Sequence, residues 1–377
     1  LNINVTDHDA LADYIKINNI DGVMTGASEF HLFNMFQICR KAGLPVYATE
    51  EQWAICQNKL SFKNLCREYG VPCVKEYYID DDPHTFDYPI IVKPSDGCSA
   101  RGITVCQNVS DFQAASEKAL EYSHEKKIII EKFIENKGTT MSVRYIAVDG
   151  ELYLEAVGDR YVLDSTGGKA LITAAAFYPS KYTDYYIEHV DQKVKNMFKG
   201  LGIKNGAFFM ESIANAEGVW FYEMGLRISG GMTYKITEKT NGVNELKMLI
   251  SHAVSGSMCG SDVTKQIDPH FNGYVSASIT LPLKTGTISQ ITGIEKIKSY
   301  EGVGDITQYW NVGDTILPKH IGNLDQLFAR ISIIVKGKDK LSSLMLDIKE
   351  NISVLDTDGN EMIIWSKLDE IYNNYSN

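Results

Sequence analysis

The sequence predicts a protein of mixed α/β and α+β class with three successive structural units. Helix and strand patterns alternate in the first 50 residues, strands joined by hairpin turns dominate the middle, and short β-type runs begin at about residue 262. Alternating helices and strands are typical of parallel α/β layers, whereas paired strands with separate helices favour α+β packing. We therefore predict a partial α/β domain at residues 1–50, a domain of two α+β lobes at 51–261 and a C-terminal α+β domain at 262–377.

Composition and charge narrow the class of protein further. The chain has 377 residues, a formal net charge of −11 and 44% hydrophobic residues. No apolar run reaches the roughly 18–20 residues that a membrane helix needs, so we expect no membrane partner. Nucleic-acid binding depends on neutralising phosphates, and an acidic chain without a basic run therefore argues against a nucleic-acid partner.

The cysteines indicate the cellular compartment. There are seven of them, an odd number, and they are scattered without any C-x-x-C pair. This pattern is typical of reduced thiols in a cytoplasmic protein and not of a disulfide framework or a zinc site. The sequence begins with Leu1 and has no signal-peptide pattern, and we expect the natural N-terminus to lie upstream of it.

The first unit is predicted from the spacing of its apolar residues. Leu11–Ile20 has helical spacing, and His31–Ala42 has it again, with Gly43 as the stop. The short apolar runs Gly22–Thr25 and Pro45–Tyr47 are predicted as strands. This order indicates half of a small doubly wound, Rossmann-like domain, whose first strand and glycine turn are not in the sequence.

The middle unit is predicted as a series of strands, hairpins and amphipathic helices. Asp149-Gly150 is a strong hairpin signal, and Ser110 is the expected N-cap of the helix that follows it. The predicted helices are Glu50–Tyr69 (one helix or a pair), Phe112–Tyr122, Tyr182–Gly200 and Asn244–Gly256, and the predicted strands are Tyr88–Lys93, Ile103–Cys106, Lys127–Phe133, Met141–Val148, Leu152–Val157, Phe208–Ala214 and Val219–Met224.

The last unit is predicted from short β-type runs followed by a helix. The expected strands are Gly273–Leu281, Gly286–Ile291, Ile294–Tyr300, Gln308–Tyr309, Thr315–Leu317 and Ile352–Leu355, the last of them followed by a turn at Asp356–Gly359.

Three segments have residues suited to chemistry, and the first is Pro89–Gly102. An apolar strand presents Lys93 and enters a loop that contains Ser95, Ser99 and Gly102. Backbone N–H groups of such a loop can turn toward phosphate oxygens, and the lysine adds a point charge. The segment is not a P-loop, since G-x-x-x-x-G-K-[ST] is absent. An ordinary surface hairpin with an exposed lysine fits the same residues.

The second segment is a predicted hairpin that places Glu211 beside Glu223. Two carboxylates on adjacent strands repel each other unless a cation lies between them, and Mg²⁺ prefers carboxylate and phosphate oxygens. Arg227, four residues beyond Glu223, is suited to a bidentate contact with a carboxylate or a phosphoryl group. The alternative is an exposed hairpin with two solvated glutamates.

The third segment is Ile128–Glu135, in which an apolar strand runs into charged residues. Its backbone groups are suited to binding adenine, with Glu131 accepting from the exocyclic amine, although the segment taken alone fits an edge strand with a solvated end better. Arg160, after a predicted strand, is a candidate for recognising a substrate carboxylate, or else part of a surface turn.

In order and spacing these segments resemble the ATP-grasp superfamily, which includes carbamoyl-phosphate synthase large subunits, biotin carboxylases and amino-acid ligases. The resemblance spans roughly residues 20–260. It implies an ATP-grasp fold that binds ATP between two lobes, with Lys93 and Arg227 as catalytic residues and Glu211 and Glu223 as ligands of Mg²⁺ (or Mn²⁺). The ATP-binding residues that it implies are Lys59, Lys93, Ser95, Ser99, Gly102, Glu131, Lys132 and Ile134.

The sequence departs from the family pattern at two positions. The family usually has asparagine two residues after the second glutamate, where this chain has Gly225, so one oxygen ligand of a second magnesium ion is missing. Relatives often have a glutamate where this chain has Thr140, ahead of Ser142-Val143. Both positions bear on how the nucleotide and its metal are held.

The resemblance implies an ADP-forming carboxylate–amine ligase that works through an acyl phosphate. Ile291–Glu295 and Val312–Asp314 are similar to the terminal domains of amino-acid ligases, which favours an amino acid or another small carboxylate as substrate. The expected partners are thus a small carboxylate and an amine, with a homodimer possible. Two alternatives stay open: a bicarbonate-activating enzyme like carbamoyl-phosphate synthase or biotin carboxylase, and an ATP-binding protein with impaired catalysis.

Overall fold

A computed structural model of the chain describes residues 2–95, 102–135, 139–163, 172–258 and 263–376. It contains a four-stranded sheet, an eight-stranded sheet and a three-stranded sheet, with helices packed between and around them. None of the helices in these ranges is long and apolar enough to cross a membrane.

Four capped helices open the chain: α1 (His8–Ile17), α2 (Glu29–Ala42), α3 (Glu50–Gln57) and α4 (Lys59–Glu68). Each begins where a polar side chain accepts a backbone N–H of the first turn, namely Asp7, Ser28, Thr49 and Asn58. The prediction of a helix pair at 50–69 is confirmed. The predicted strands at 22–25 and 45–47 are wrong, because these segments pair with no neighbouring strand within the described residues.

The four-stranded sheet consists of β1 (Glu76–Tyr77), β2 (Ile90–Pro94), β3 (Thr104–Cys106) and β4 (Ile128–Lys132), in the order β1-β4-β2-β3. The helix α5 (Phe112–Tyr122) packs on it through Phe112 and Ala119. Ser110 is not the N-cap of α5, contrary to the prediction. The side chain of Asn108 instead caps a short 3₁₀ turn at Val109–Asp111 that leads into the helix.

The eight-stranded sheet is formed mainly by two long hairpins. The first joins β5 (Thr139–Val148) to β6 (Glu151–Val162) through Asp149 and Gly150, whose φ angles of 51° and 88° define the expected tight turn. The next strand is β7 (Thr173–Tyr178). A helical segment follows, with α6 (Thr183–Tyr186), a π-helical turn (Ile187–Asp191) and α7 (Gln192–Gly200). The second hairpin then joins β8 (Gly206–Asn215) to β9 (Gly218–Gly225).

The remaining chain extends this sheet and adds a smaller one. After α8 (Tyr234–Asn241) and α9 (Glu245–Ser255) come β10 (Val275–Pro282), β11 (Gly286–Thr292), α10 (Ile294–Lys298), β12 (Val303–Gln308), β13 (Thr315–Ile316), β14 (Leu327–Val335), α11 (Lys338–Asn351), β15 (Ser353–Asp356) and α12 (Trp365–Ser376). The large sheet has the order β12-β14-β10-β7-β6-β5-β8-β9, and the small one β13-β11-β15. The large sheet thus continues across the predicted boundary at 261/262.

The predicted strand at 294–300 is wrong, because this segment begins with the helix α10. Gly293, with a φ of 88°, ends β11 and turns the chain. Ile294 and Ile297 are then both buried on one side of the following turn, a spacing of three that a helix satisfies and a strand does not.

Strand alternation sends successive side chains of the large sheet to opposite faces, and both faces carry buried apolar residues. Met210 on β8 and Val143 on β5 point into the core that also contains Tyr145, Phe198 and Phe208. Their neighbours in sequence, Glu211 and Ser142, therefore point to the opposite face. Ser142, Arg160 and Glu211 meet on that face, whereas α4 packs through Phe62 and Cys66 on the core of the first face.

Candidate active site

Glu211 and Glu223 lie directly opposite each other on β8 and β9. They are partners in the antiparallel register of this hairpin, as the sequence predicted. The two carboxylates differ strongly in environment: the Glu211 side chain is 7% exposed and that of Glu223 is 42% exposed. The pair therefore consists of one carboxylate fixed within the sheet and one that is exposed.

The buried member of the pair is held by neighbours on β5 and β6. Arg160 forms an ion pair with Glu211, and the Ser142 hydroxyl donates to it over 3.3 Å. A second nitrogen of Arg160 donates to the Thr173 hydroxyl at 2.7 Å. Burial raises the pKa of Glu211, and the positive charge of Arg160 opposes that rise. Arg160, which the sequence suggested as a substrate-carboxylate residue, is thus paired with Glu211 in this structure.

Two lysines on one face of α4 reach the two sheets. Lys59 lies 3.6 Å from Glu223 on β9 of the large sheet. Lys63, one turn later, is fully buried and binds Glu131 on β4 of the small sheet. The segment that leads from α4 into β1 also pairs with β9, since Phe221 N–H donates to Pro72 O and Val74 N–H donates to Phe221 O. α4 therefore contacts both sheets, and we call the region between Glu223 and Glu131 that it lines the cleft.

Sequence reasoning missed Lys63, which is the centre of a buried charge network. Its ammonium donates to Glu76 at 2.7 Å and to Glu131, and Arg67 also binds Glu76. A signal was available: Lys63 stands on the same helix face as the buried residues Phe62 and Cys66, where a solvated lysine is not expected.

Glu131 receives a second lysine, Lys93, from β2. Burial alone would raise the pKa of Glu131, but the charges of Lys93 and Lys63 hold it below its ordinary value. This carboxylate is therefore ionised and has a lysine on each side. The sequence suggested Glu131 as an acceptor for an adenine amine, and the structure adds that it fixes the position of Lys93.

The segment at the end of β4 has backbone groups that could form hydrogen bonds with an adenine ring. The Lys132 ammonium donates to the carbonyl oxygens of Asp87 and Tyr88, each at 3.1 Å, which anchors the strand end. Phe133 N–H donates to Pro89 O. Within the described ranges, Ile134 N–H has no acceptor. One backbone donor at the end of β4 is thus available to a ligand.

Part of the predicted phosphate loop lies outside the described residues, including Ser99. Ser95 N–H donates to Lys127 O at 3.1 Å, which ties the start of the loop to the residue just before β4. Gly102 has a φ of 73°, and a Cβ there would lie 2.8 Å from Tyr122 Cβ and 2.9 Å from Pro94 Cγ. This packing and the positive φ are enough to explain why residue 102 is a glycine, whether or not it contacts a nucleotide.

Arg227 lies just beyond β9 and pairs with the N-terminal part of the chain. Its Nε donates to Glu29 on α2 at 2.5 Å, and its Nη1 donates to Ile228 O at 3.0 Å. Sequence reasoning missed Glu29, since 198 positions separate the two residues. Gly225 is next to this pair, because a Cβ there would lie 3.2 Å from Glu29 Oε1.

The donor atoms around Glu223 fit a divalent cation that is shared with a nucleotide. In the part of the chain that the structure describes, no group of three or more acidic, histidine or cysteine side chains surrounds one point. Mg²⁺ in nucleotide sites usually takes one or two carboxylates plus phosphate oxygens and waters. Glu223 supplies an exposed carboxylate, and Glu211 supplies a second one on exchanging a contact with Arg160 or Ser142 for the cation; Lys59 and Lys93 supply positive charge for phosphates.

A buried acidic pair, Glu155 and Glu245, lies between β6 and α9. As carboxylates, Glu155 and Glu245 would leave buried oxygens without a donor. A proton retained on one of them supplies the missing hydrogen bond. Accordingly, the pKa of Glu155 is raised well above its ordinary value of 4.5. Burial is the larger cause, and the charge of Glu245 is the next.

This pair predicts how stability changes with pH. The unfolded chain releases the Glu155 proton near pH 4.5 and the folded chain keeps it, so stability decreases as the pH rises above that value, by about 1.4 kcal/mol per unit until the folded group ionises. Glutamine needs no proton, so we expect the urea midpoint of Glu155→Gln to fall less than that of the wild type between about pH 5 and pH 8. Glu151→Gln, at the exposed start of the same strand, is the matched control. If the urea midpoint fell equally steeply with pH in the wild type and in Glu155→Gln, the proton would not be retained on Glu155.

Comparison with known proteins supports the fold. Residues 61–225 match the family model described as D-ala D-ala ligase C-terminus. The chain is 23% identical over 306 residues to an L-arginine-specific L-amino acid ligase of Bacillus subtilis, covering 78% of this chain and 70% of the relative.

Two solved structures resemble the whole chain. An L-amino acid ligase from Bacillus licheniformis superposes with a TM-score of 0.72 at 19% identity, covering 93% of this chain and 84% of that one. A biotin carboxylase from Campylobacter jejuni, in a nucleotide complex, gives a TM-score of 0.75 at 15% identity, covering 99% and 82%. The chain has the ATP-grasp fold.

Proposed function

We propose that this chain, with its ATP-grasp fold, is an ATP- and magnesium-dependent ligase that joins a small carboxylate, preferably an amino acid, to an amine. The observation that carries the proposal is the direct pairing of Glu211 with Glu223 beside Lys59, across the cleft from the Lys93–Glu131 ion pair. Carboxylates for a cation and lysines for phosphates converge there from two sheets.

The proposed reaction has two steps. An oxygen of the substrate carboxylate attacks the γ-phosphorus of ATP, and the bond to the β-phosphate oxygen breaks to release ADP. The nitrogen of the amine then attacks the carbonyl carbon of the acyl phosphate, loses a proton and expels inorganic phosphate. Phosphoryl transfer depends mainly on positioning and on neutralising charge, and not on covalent chemistry by the protein.

Each role falls to a residue of the cleft. Lys59 and Lys93 bind phosphate oxygens, and Lys93 is oriented for this by Glu131. Lys132 and Ile134 bind the adenine, with Ile134 N–H as a donor, while Glu131, whose two oxygens are held by Lys63 and Lys93, acts by positioning Lys93. Arg227 holds the substrate carboxylate. Glu211 and Glu223 hold Mg²⁺, which, when bound, neutralises charge on the phosphate oxygens.

The preference for an amino acid is supported by the likeness to L-amino acid ligases in sequence and in structure. The biotin carboxylase likeness keeps bicarbonate as a second candidate substrate. Gly225 favours a third reading, a nucleotide-binding protein with impaired catalysis, because it removes an amide oxygen from the metal site.

The test is ADP release from Mg-ATP in the presence of single amino acids, other small carboxylates and bicarbonate, with hydroxylamine as the trapping amine. We expect hydroxamate with at least one carboxylate, because hydroxylamine intercepts an acyl phosphate. ADP release with bicarbonate alone would replace the proposal by the bicarbonate-activating reaction. ATP binding without ADP release in any mixture would instead favour a nucleotide-binding protein with impaired catalysis.

A further inference from the structure

The Arg227 guanidinium is held on three sides by this chain. Nε donates to Glu29 Oε1, and Nη1 donates to the adjacent Ile228 carbonyl. One face of the guanidinium lies over the Phe209 ring, with 5.1 Å between Cζ and the ring centroid. Nη2 has no hydrogen-bond acceptor among the described residues. The two hydrogens of Nη2, together with the second hydrogen of Nη1, are therefore left for a ligand.

Glu29 is itself fixed in position. It is the first residue of α2, and the Ser28 cap determines where that helix begins. Its Oε2 accepts from the Trp53 indole at 3.2 Å, while Oε1 binds Arg227. Both oxygens of the carboxylate are engaged, so the group cannot rotate without breaking one of these contacts.

Phe209 explains why this chain has glycine at position 225. Phe209 and Gly225 are direct partners in the β8–β9 register. A Cβ on residue 225 would lie 2.6 Å and 2.7 Å from two ring carbons of Phe209, in addition to its close approach to Glu29. The phenyl ring thus occupies the space into which an asparagine side chain would extend.

From this arrangement we infer that Glu29 is a positioning residue for Arg227, and that Phe209 and Gly225 form a matched pair that supports it. Glu29 holds Nε so that the Nη2 edge faces the substrate carboxylate. This inference rests on the proposed function, in which Arg227 binds that carboxylate. Glu29 itself touches no reacting atom, since both its oxygens are used within the protein.

The test is a double-mutant cycle in the hydroxamate assay, with the carboxylate that the wild type uses. Glu29→Gln keeps the size of the side chain and removes its charge. We expect it to raise the KM for the carboxylate about tenfold, a typical coupling for residues in direct contact, and to leave the KM for ATP within about twofold. In an Arg227→Lys background, which lacks the Nε donor, the same substitution is expected to change the KM by less than about twofold.

The outcomes separate the possible explanations. Equal effects of Glu29→Gln in both backgrounds would overturn the inference, because Glu29 would then act independently of Arg227. A matched loss of ATP affinity and of thermal stability would also overturn it, since that is the result of a structural defect. If the wild type itself gives neither hydroxamate nor ADP, the proposed function fails and this inference fails with it.

A second pair of variants tests the matched residues without relying on turnover. Gly225→Asn is expected to lower the melting temperature because of the collision with Phe209, and Phe209→Thr combined with Gly225→Asn is expected to recover part of the loss. A Gly225→Asn variant as stable as the wild type would show that the ring does not fill this space.

Discussion

Glu223→Gln is expected to abolish ADP formation while the folded protein persists. Glutamine keeps the shape of the side chain but loses the charge with which Glu223 would bind magnesium. A bound metal supplies several kcal/mol of charge stabilisation, so we expect a loss of at least about 10³-fold in ADP release. The side chain is 42% exposed, and its replacement removes no buried partner, so the melting temperature should not change.

The matched control for this variant is Glu217→Gln. Glu217 lies in the exposed turn of the same β8–β9 hairpin and contacts neither the cation-binding carboxylates nor the lysines of the cleft. We expect it to release ADP at the wild-type rate. Wild-type turnover by Glu223→Gln at saturating magnesium would remove Glu223 from the metal site.

The largest effect on stability is expected from Lys63→Met. Methionine fills the space of the apolar stem, but it leaves Glu131 and Glu76 without their shared buried cation. Removing one partner from a buried ion pair typically costs about 3–5 kcal/mol, because the remaining charge stays desolvated. Chemical denaturation monitored by tryptophan fluorescence would measure the loss. Weakened ATP binding is expected as well, since Glu131 positions Lys93.

The pH dependence of this variant gives an independent check. The lysines hold the pKa of Glu131 below its ordinary value of 4.5, so their contribution is present above pH 4.5 and is lost as the pH falls below it. The difference in stability between the wild type and Lys63→Met should therefore narrow in acid. Lys59→Met, one turn earlier on α4 and 42% exposed, is the stability control and should unfold like the wild type. A small loss of stability in Lys63→Met that does not change with pH would contradict the buried charge network of Lys63, Glu76 and Glu131.

Features encoded within a few residues were predictable from the sequence. Asp149-Gly150 predicted its hairpin, because both residues tolerate positive φ. The alternation of polar and apolar residues on β8 and β9, with a short turn between them, was enough to predict that Glu211 faces Glu223. The order and spacing of these local motifs resemble those of the ATP-grasp superfamily, and the fold that this resemblance implies is confirmed.

The contacts between segments far apart in the chain were decided only by the tertiary structure. The ion pair of Arg227 with Glu29 spans 198 positions, and the fit of Gly225 against Phe209 depends on the register of two strands. Lys63 shows the same limit: its helix was predictable, but only the packing of α4 between two sheets buries its charge between Glu76 and Glu131. Periodicity and turn chemistry act over a few residues and place Lys63 on the buried face of its helix, whereas its partners are decided only when distant elements pack together.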